Sequence, residues 1–505
     1  MSTIHKRASQ ASFWSLTTNI SVGLINFLTT AILARLLKPE EFGLIGIAGL
    51  VLGIVGIFGK TGLGSALIYK KNPDDIYYST VFWANSGVGI LLAGCTLLLA
   101  YPASLFFREP VVFTMLTVLS VSFILPVISC IHSIKLQKEF DYLLIGVGSA
   151  ITALVSSLCA ILTAWYGYGV WSLVIRCLLD PIIYSLWLIA VIRWHPQWVF
   201  DFTKFKELFH YSRNLLAQGI LNFFSQNIDY LMIGRLFGKQ KLGYYKLAYS
   251  LPHIPYDEFT KRITAVLFPV LCKVKDDTYA LKSGYLRALM YNTAIIMPAM
   301  IVFFFLAEPF VKIVYSPKWI VIVPTVKILT FVSILRCLTT FTGSLFCARG
   351  RTDIGVKFDL VVCPVTVIAL LLCTRYDIEG VAYAILCIMV LSFIILYYIV
   401  IRVVDVITLP DILKTLLPGI TASVCVYLFL IFTGPVFSLL AQNLFDTAHT
   451  IQPFKWMTRF SIFCPDLFNL GLTGIFSCFF IGCIYMFFFK KQLKDFIGFV
   501  LQIVR

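Results

Sequence analysis

Charge is what this sequence has least of. Of 505 residues only 13% are charged, about half the share of near 25% in an ordinary soluble domain, while 59% are hydrophobic. Such a chain has too little polar surface to cover a water-exposed globule of its size. Acidic residues are the scarcer sign, with 25 Asp and Glu against 41 Lys and Arg, a net charge of +16. Several chemistries are missing too. None of the 14 cysteines stands in Cys-x-x-Cys spacing, and Cys95, Cys159, Cys363, Cys387 and Cys478 lie inside apolar blocks. They read as small core residues, not as a metal site, redox pair or disulfide framework. The absence of a Gly-x-x-x-x-Gly-Lys-Ser/Thr loop argues against an ATP-driven pump. His132, His195, His210, His253 and His449 are scattered, and the longest breaks between apolar blocks run to about 20 to 27 residues without a His–Asp or metal-ligand cluster. An enzyme acting on lipid-linked sugars is the competing reading from another class, and these absences weigh against it. Neither catalytic residues nor a metal or cofactor are expected.

What the sequence does have is continuous apolar blocks of roughly 18 to 25 residues, the length of a helix that crosses a hydrocarbon core of about 30 Å. Barrel strands would alternate instead. The fold expected is therefore an all-α polytopic membrane protein. Helices are expected near 11–35, 43–69, 78–101, 111–133, 143–165, 169–192, 214–237, 243–271, 286–314, 320–347, 357–374, 379–402, 415–440 and 467–489, about fourteen in all. The first follows Lys6 and Arg7 directly and is too long for a cleaved signal segment. With the N-terminus inside, the cytoplasmic ends and breaks hold 23 Lys and Arg and the opposite breaks 11. That two-to-one bias places both termini in the cytoplasm, and it assigns the positive charge to orientation and lipid headgroups, not to nucleic acid.

Two stretches have interfacial patterning. Phe202, Phe205, Leu208 and Phe209 share a helical face opposite Lys204, Lys206 and Glu207, and the tail after Lys490 carries Leu493, Phe496, Ile497, Val500, Leu501 and Val504 on one stripe. The domain plan that results is a six-helix lobe over 1–192, an amphipathic cytoplasmic linker over 193–213, a second six-helix lobe over 214–402, and a final helix pair with an amphipathic tail over 403–505. An internal repeat supports it. ARLLKPEEFGLIGIA from Ala34 and GRLFGKQKLGYYKLA from Gly234 are offset by 200 residues and share Arg35/Arg235, Leu36/Leu236, Gly43/Gly243 and Ala48/Ala248. Each copy follows the first helix of its series of six. Lobes of six helices run parallel, related by an axis along the membrane normal, with a cavity expected between them, as in alternating-access transporters.

The Lys38-Pro39-Glu40-Glu41-Phe42-Gly43 turn after Arg35, the Asn227-x-Asp229 and Gly234-Arg235 pairing, and the Arg351-Thr352-Asp353-Ile354 loop resemble the Wzx-type polysaccharide flippases. These belong to the multidrug/oligosaccharidyl-lipid/polysaccharide flippase superfamily, and the similarity runs closest to its colanic-acid exporter-like branch. The turn has a plain physical job as well, since acidic residues at a helix start favour its dipole. The resemblance implies export of an undecaprenyl-diphosphate-linked oligosaccharide across a bacterial inner membrane, in O-antigen, capsule or exopolysaccharide biosynthesis. Polysaccharide polymerase and chain-length machinery are the protein partners it implies. A lipid-linked peptidoglycan precursor flippase and a cation-coupled drug or metabolite antiporter of the same superfamily are the alternatives.

Ionisable residues near a bilayer centre cost about 2.5–3.5 kcal/mol each on insertion scales, so those inside spans carry information. The cations are Lys60, Arg176, Lys246, Lys261, Arg262, Lys327 and Arg336; the anions are Asp180, Asp229, Asp257 and Glu258. An excess of cations suits a diphosphate headgroup, which Arg can fork onto and Lys can meet as a point charge. It argues against the cationic cargo of a drug antiporter. The four acidic residues are the candidate carriers of a coupling ion, H⁺ or Na⁺. Two i,i+4 pairs, Arg176 with Asp180 and Asp257 with Lys261, are alternatively self-satisfied ion pairs. Tyr244, Tyr245, Tyr249 and Tyr256 run beside the charges of helix eight, where packing is their default role. Applying the 200-residue offset sets Lys60 against Thr260.

Overall fold

The computed structural model describes residues 2–59, 63–64, 67, 73–139, 141–449, 471, 473–477, 480–481 and 484. Every regular element among them is helical. The physical reason is that a lipid-embedded backbone finds no water partner, and a helix satisfies its own N–H and C=O groups. The first six helices are α1 (Ser2–Leu36), α2 (Pro39–Gly59), α3 (Asp75–Phe107), α4 (Val111–Glu139), α5 (Tyr142–Trp165) and α6 (Val170–Val191). Next come α7 (Phe202–Leu236) and α8, which runs Gly238–Pro255, through a π turn at Tyr256–Thr260, and on as Lys261–Lys273. The rest are α9 (Thr278–Val314), α10 (Pro317–Ala348), α11 (Thr352–Cys373), α12 (Asp377–Val403) and α13 (Leu409–His449). Among the described residues, eleven helices are long and apolar enough to cross a membrane; α7 and α8 are more polar. The stretch expected as a fourteenth helix is described only in part, and the amphipathic tail lies outside the described residues.

The sequence expectation for helix seven starts at residue 214, whereas α7 starts at Phe202, so the amphipathic stretch forms its first turns. Asp201 caps that start by accepting from the N–H groups of Thr203 and Lys204 at 2.9 and 3.2 Å. Asp74, Asp141 and Asp277 cap α3, α5 and α9 in the same way. All four caps fall on ends that the charge bias assigns to the cytoplasm. At the start of α2, Glu41 Oε2 accepts the Lys38 N–H at 2.6 Å, with Pro39 in the first helical position. Half of a capping box is thus built from the Lys-Pro-Glu-Glu turn.

The chain divides into two compact units, residues 1–246 and Leu247 onward. In the first, α5 packs along α1 and α6, α3 along α2 and α4, and α7 along α2. In the second, α9 packs along α13 and α10, and α12 along α10 and α11. Large apolar side chains such as Leu98, Phe432, Leu372 and Val361 are exposed, as lipid-facing residues must be when the solvent is hydrocarbon.

The repeat is visible in the first unit. Helices α1 and α7 end at Leu36 and Leu236, 200 residues apart. A methyl group at Gly43 would overlap the carbonyl oxygen of Lys239, and one at Gly243 would overlap that of Pro39. The two contacts are one contact repeated under the same offset, so the start of α2 and the start of α8 cross backbone to backbone. Only glycine leaves room there. Gly243→Ala is expected to lower stability by about 1–3 kcal/mol, the usual cost of overpacking. Gly87→Ala, on the open face of α3 with nothing within 4 Å, should leave it unchanged or raise it by up to about 1 kcal/mol. Thermal unfolding of the two purified variants in detergent checks the contrast.

Candidate functional site

The intramembrane charges fall into two polar clusters, one in each unit. In the first unit, Arg176 on α6 donates from Nη2 to Asn26 Oδ1 on α1 at 2.7 Å. Asp180, one turn further on, accepts from the Ser156 hydroxyl on α5. The i,i+4 ion pair considered from spacing is not what holds these two: α6 lies against α5, which meets α1, and each charge turns to a neutral group on a neighbour. Asp229 on α7 is buried at 6% exposure, and its Oδ2 accepts from Tyr245 Oη on α8 at 2.8 Å. Tyr245, read from sequence as packing, is both fully buried and the hydrogen-bond donor to that carboxyl. Lys246 is half-buried, and its stem lies where a methyl at Gly46 would sit 3.5 Å from Cδ.

In the second unit the organising residue is Arg336, near the middle of α10. Its Nη1 donates to Tyr249 Oη and to His253 Nε2, both at 2.6 Å. The guanidinium also lies 5.6 Å from the Tyr249 ring centre and 6.0 Å from that of Tyr256, within cation–π range. Tyr249 and His253 stack at 4.0 Å with their planes 19° apart. Helical spacing puts Tyr249, His253 and Tyr256 on one face of α8, and the π turn follows directly on Pro252 and Pro255. There the Lys261 N–H reaches back five residues to the Tyr256 carbonyl. Sequence reasoning expects a regular helix over 243–271. The ladder slips by one residue beyond the two prolines, whose missing N–H groups already interrupt it.

The π turn carries Asp257, Glu258 and Thr260. Asp257 pairs with Lys261 at 2.6 Å, the i,i+4 pair considered from spacing, and both side chains are about half exposed. Thr260, the residue matched to Lys60, is fully buried and donates to Asn292 Oδ1 at 3.0 Å, while Asn292 Nδ2 donates to the Cys337 carbonyl at 3.1 Å. Arg262 is half-buried. Lys327 sets its ammonium 5.5 Å from the Phe304 ring centre. Lys60 and the side chain of Glu258 lie outside the described residues. Among the described residues, Arg176, Lys246 and Lys327 have no carboxylate within 4.0 Å, and no group of His, Cys, Asp or Glu could hold a metal ion.

His253 is the member that sequence reasoning misses, since it counts among scattered histidines. The available signal was its i+4 spacing from Tyr249 beside two prolines. Chemically, the cluster places a guanidinium inside a span against a phenol and an imidazole, and a guanidinium is a group that can fork onto anionic oxygens.

The family model for polysaccharide biosynthesis proteins matches residues 32–324, more than half of the chain. The chain belongs to that family. The matched range includes both passages of the 200-residue repeat. The lipopolysaccharide biosynthesis protein WzxC of Escherichia coli is 25% identical over 366 residues, covering 71% of this chain and 73% of its own. The teichuronic acid biosynthesis protein TuaB of Bacillus subtilis is 26% identical over 365 residues, covering 71% and 75%. The resemblance to Wzx-type flippases stands on these relatives. A solved structure of the lipid II flippase MurJ in an inward closed conformation aligns with TM-score 0.64 over 94% of this chain and 99% of its own at 16% identity, a likeness of fold.

The buried Asp229–Tyr245 bond carries a stability prediction within this family member. Tyr245→Phe removes the donor and leaves a buried acceptor short of a partner, a loss of about 1–3 kcal/mol. Thermal unfolding in detergent should show a midpoint lowered by a few degrees, whereas Tyr244→Phe, on the half-buried neighbour, serves as the comparison.

Proposed function

We propose that the chain is a flippase that carries undecaprenyl-diphosphate-linked oligosaccharide from the cytoplasmic to the outer leaflet of a bacterial inner membrane, by alternating access, for surface polysaccharide assembly. The observation that carries the reading is that Arg176 and Lys327 sit within membrane-spanning helices with no carboxylate within 4.0 Å among the described residues. A cation held in a span must be compensated, and a diphosphate headgroup supplies what the neutral partners do not. Arg336 adds a fork whose geometry matches phosphate oxygens. Membership of the polysaccharide biosynthesis family points the same way.

Both termini lie in the cytoplasm on this reading, as the distribution of Lys and Arg favours. A polymerase and chain-length machinery on the outer side would take up the cargo.

Deletion of the gene is expected to abolish surface polysaccharide and to leave undecaprenyl-linked oligosaccharide on the cytoplasmic side, with rescue by the wild-type gene. Arg336→Ala should insert normally, as judged by its amount in the membrane fraction, yet export at least about tenfold less. That factor corresponds to the loss of one charge-assisted contact. Unchanged surface polysaccharide with altered drug sensitivity would instead indicate an antiporter.

A further inference from the structure

The partners of Arg336 are of unequal kinds. Tyr249 Oη is a hydroxyl that accepts in any protonation state accessible to it near neutral pH, but His253 Nε2 accepts from a guanidinium only while its lone pair is free. Arginine has no acceptor, so the 2.6 Å contact fixes the imidazole as neutral with its hydrogen on Nδ1. That hydrogen faces the Ser333 hydroxyl at 3.3 Å. The order Ser333, His253, Arg336, Tyr249 is therefore a polar chain in which Nε2 is a place where a proton can be added. Adding it replaces an acceptor by a second donor and sets a cation against the guanidinium.

We propose that His253 is the proton-binding residue of the transport cycle: when a phosphate oxygen draws the Arg336 guanidinium away from Nε2, that nitrogen takes up one proton. The inference rests on the anionic-cargo reading above and names the ion linked to it. The proton comes from the solution to which the site is open, forms one N–H bond, and leaves when the phosphate leaves and Arg336 returns. No other bond is made or broken. Proton and anion are bound together, so the headgroup is met by a guanidinium and an imidazolium on the same side of α8.

The other groups facing His253 do not take its place. Ser333 and Arg336 come from α10. On α8 itself, Tyr249 stacks on the ring, Tyr256 meets it edge-on at 5.8 Å, and Lys261, which adds its field, is paired with Asp257. Asp180 and Asp229, the carboxyl candidates of the first unit, are hydrogen-bonded to Ser156 and Tyr245. The π turn directly after Pro255 supplies a second, independent mark, since such turns inside long helices recur at functional sites.

The test counts protons. Purified full-length protein in detergent is titrated with farnesyl diphosphate by calorimetry at one pH in buffers of different ionisation enthalpy. The wild type is expected to take up close to one proton per diphosphate bound, with affinity falling as pH rises. His253→Gln keeps an acceptor for Arg336 and a donor for Ser333, so it should fold and bind the diphosphate more weakly, through Arg336, with no proton uptake and no pH dependence. His253→Gln that still takes up the proton overturns the proposal, as does wild-type binding without uptake or with Na⁺ dependence in its place. Failure of the wild type to bind the diphosphate also overturns it. In that case, deletion and rescue of surface polysaccharide decide the flippase reading separately.

Discussion

The constraint on which everything else depends is the absence of water along most of the chain. In hydrocarbon a backbone N–H or C=O has no solvent partner, so the chain is helical wherever it crosses. The same absence raises the cost of every ionisable side chain inside a span. Ion pairs join helix ends: Lys204 to Asp74 at 2.7 Å, Lys239 to Glu109 at 2.9 Å, Lys282 to Asp411 at 2.7 Å. Within the spans the chain does something else. Arg176 meets an amide and Lys327 an aromatic ring. Amides and ring faces orient a cation without cancelling its charge.

The close approach of α2 and α8 follows from a second constraint. Without a hydrophobic drive between helices in lipid, association depends on near packing, which small residues at the crossing permit. Gly43 against the Lys239 carbonyl and Gly243 against that of Pro39 are such a crossing, and they recur under the 200-residue offset. A duplicated passage that meets its own copy needs the same small residue twice, which accounts for both glycines among the few identities that survive. The capping turn beside them is held by Glu41 on the Lys38 N–H, but the second copy has Lys241 where the first has Glu41, so the cap is local chemistry of the first copy alone.

Much of this was legible in the sequence, for physical reasons. Apolar blocks long enough to span a bilayer place helices well, because length and hydropathy are the same requirement seen twice. The charge excess within spans was legible for the same reason, since each such residue is expensive. Spacing on one helix was less informative. It pairs Asp257 with Lys261 correctly, on an exposed face, but it cannot see that Asn26 on α1 and Ser156 on α5 compete for Arg176 and Asp180. The π turn was hidden because a one-residue slip leaves composition and period almost unchanged. His253 was hidden because its partner, Arg336, is 83 residues away along the chain.

Among the described residues two histidines are buried, His132 and His253, and they differ in meaning. His132 is buried near the Trp194 ring, at 5.8 Å between centres, with no charged hydrogen-bond partner among the described residues. It packs as an aromatic ring within α4. His253 is buried to a similar degree, at 7% exposure, yet both its nitrogens are engaged, one by a hydroxyl and one by a cation. A ring that accepts from a guanidinium has its tautomer chosen for it, and any change at that guanidinium is felt at one nitrogen. Burial alone does not distinguish a packed imidazole from a responsive one; the sign and kind of its partners do.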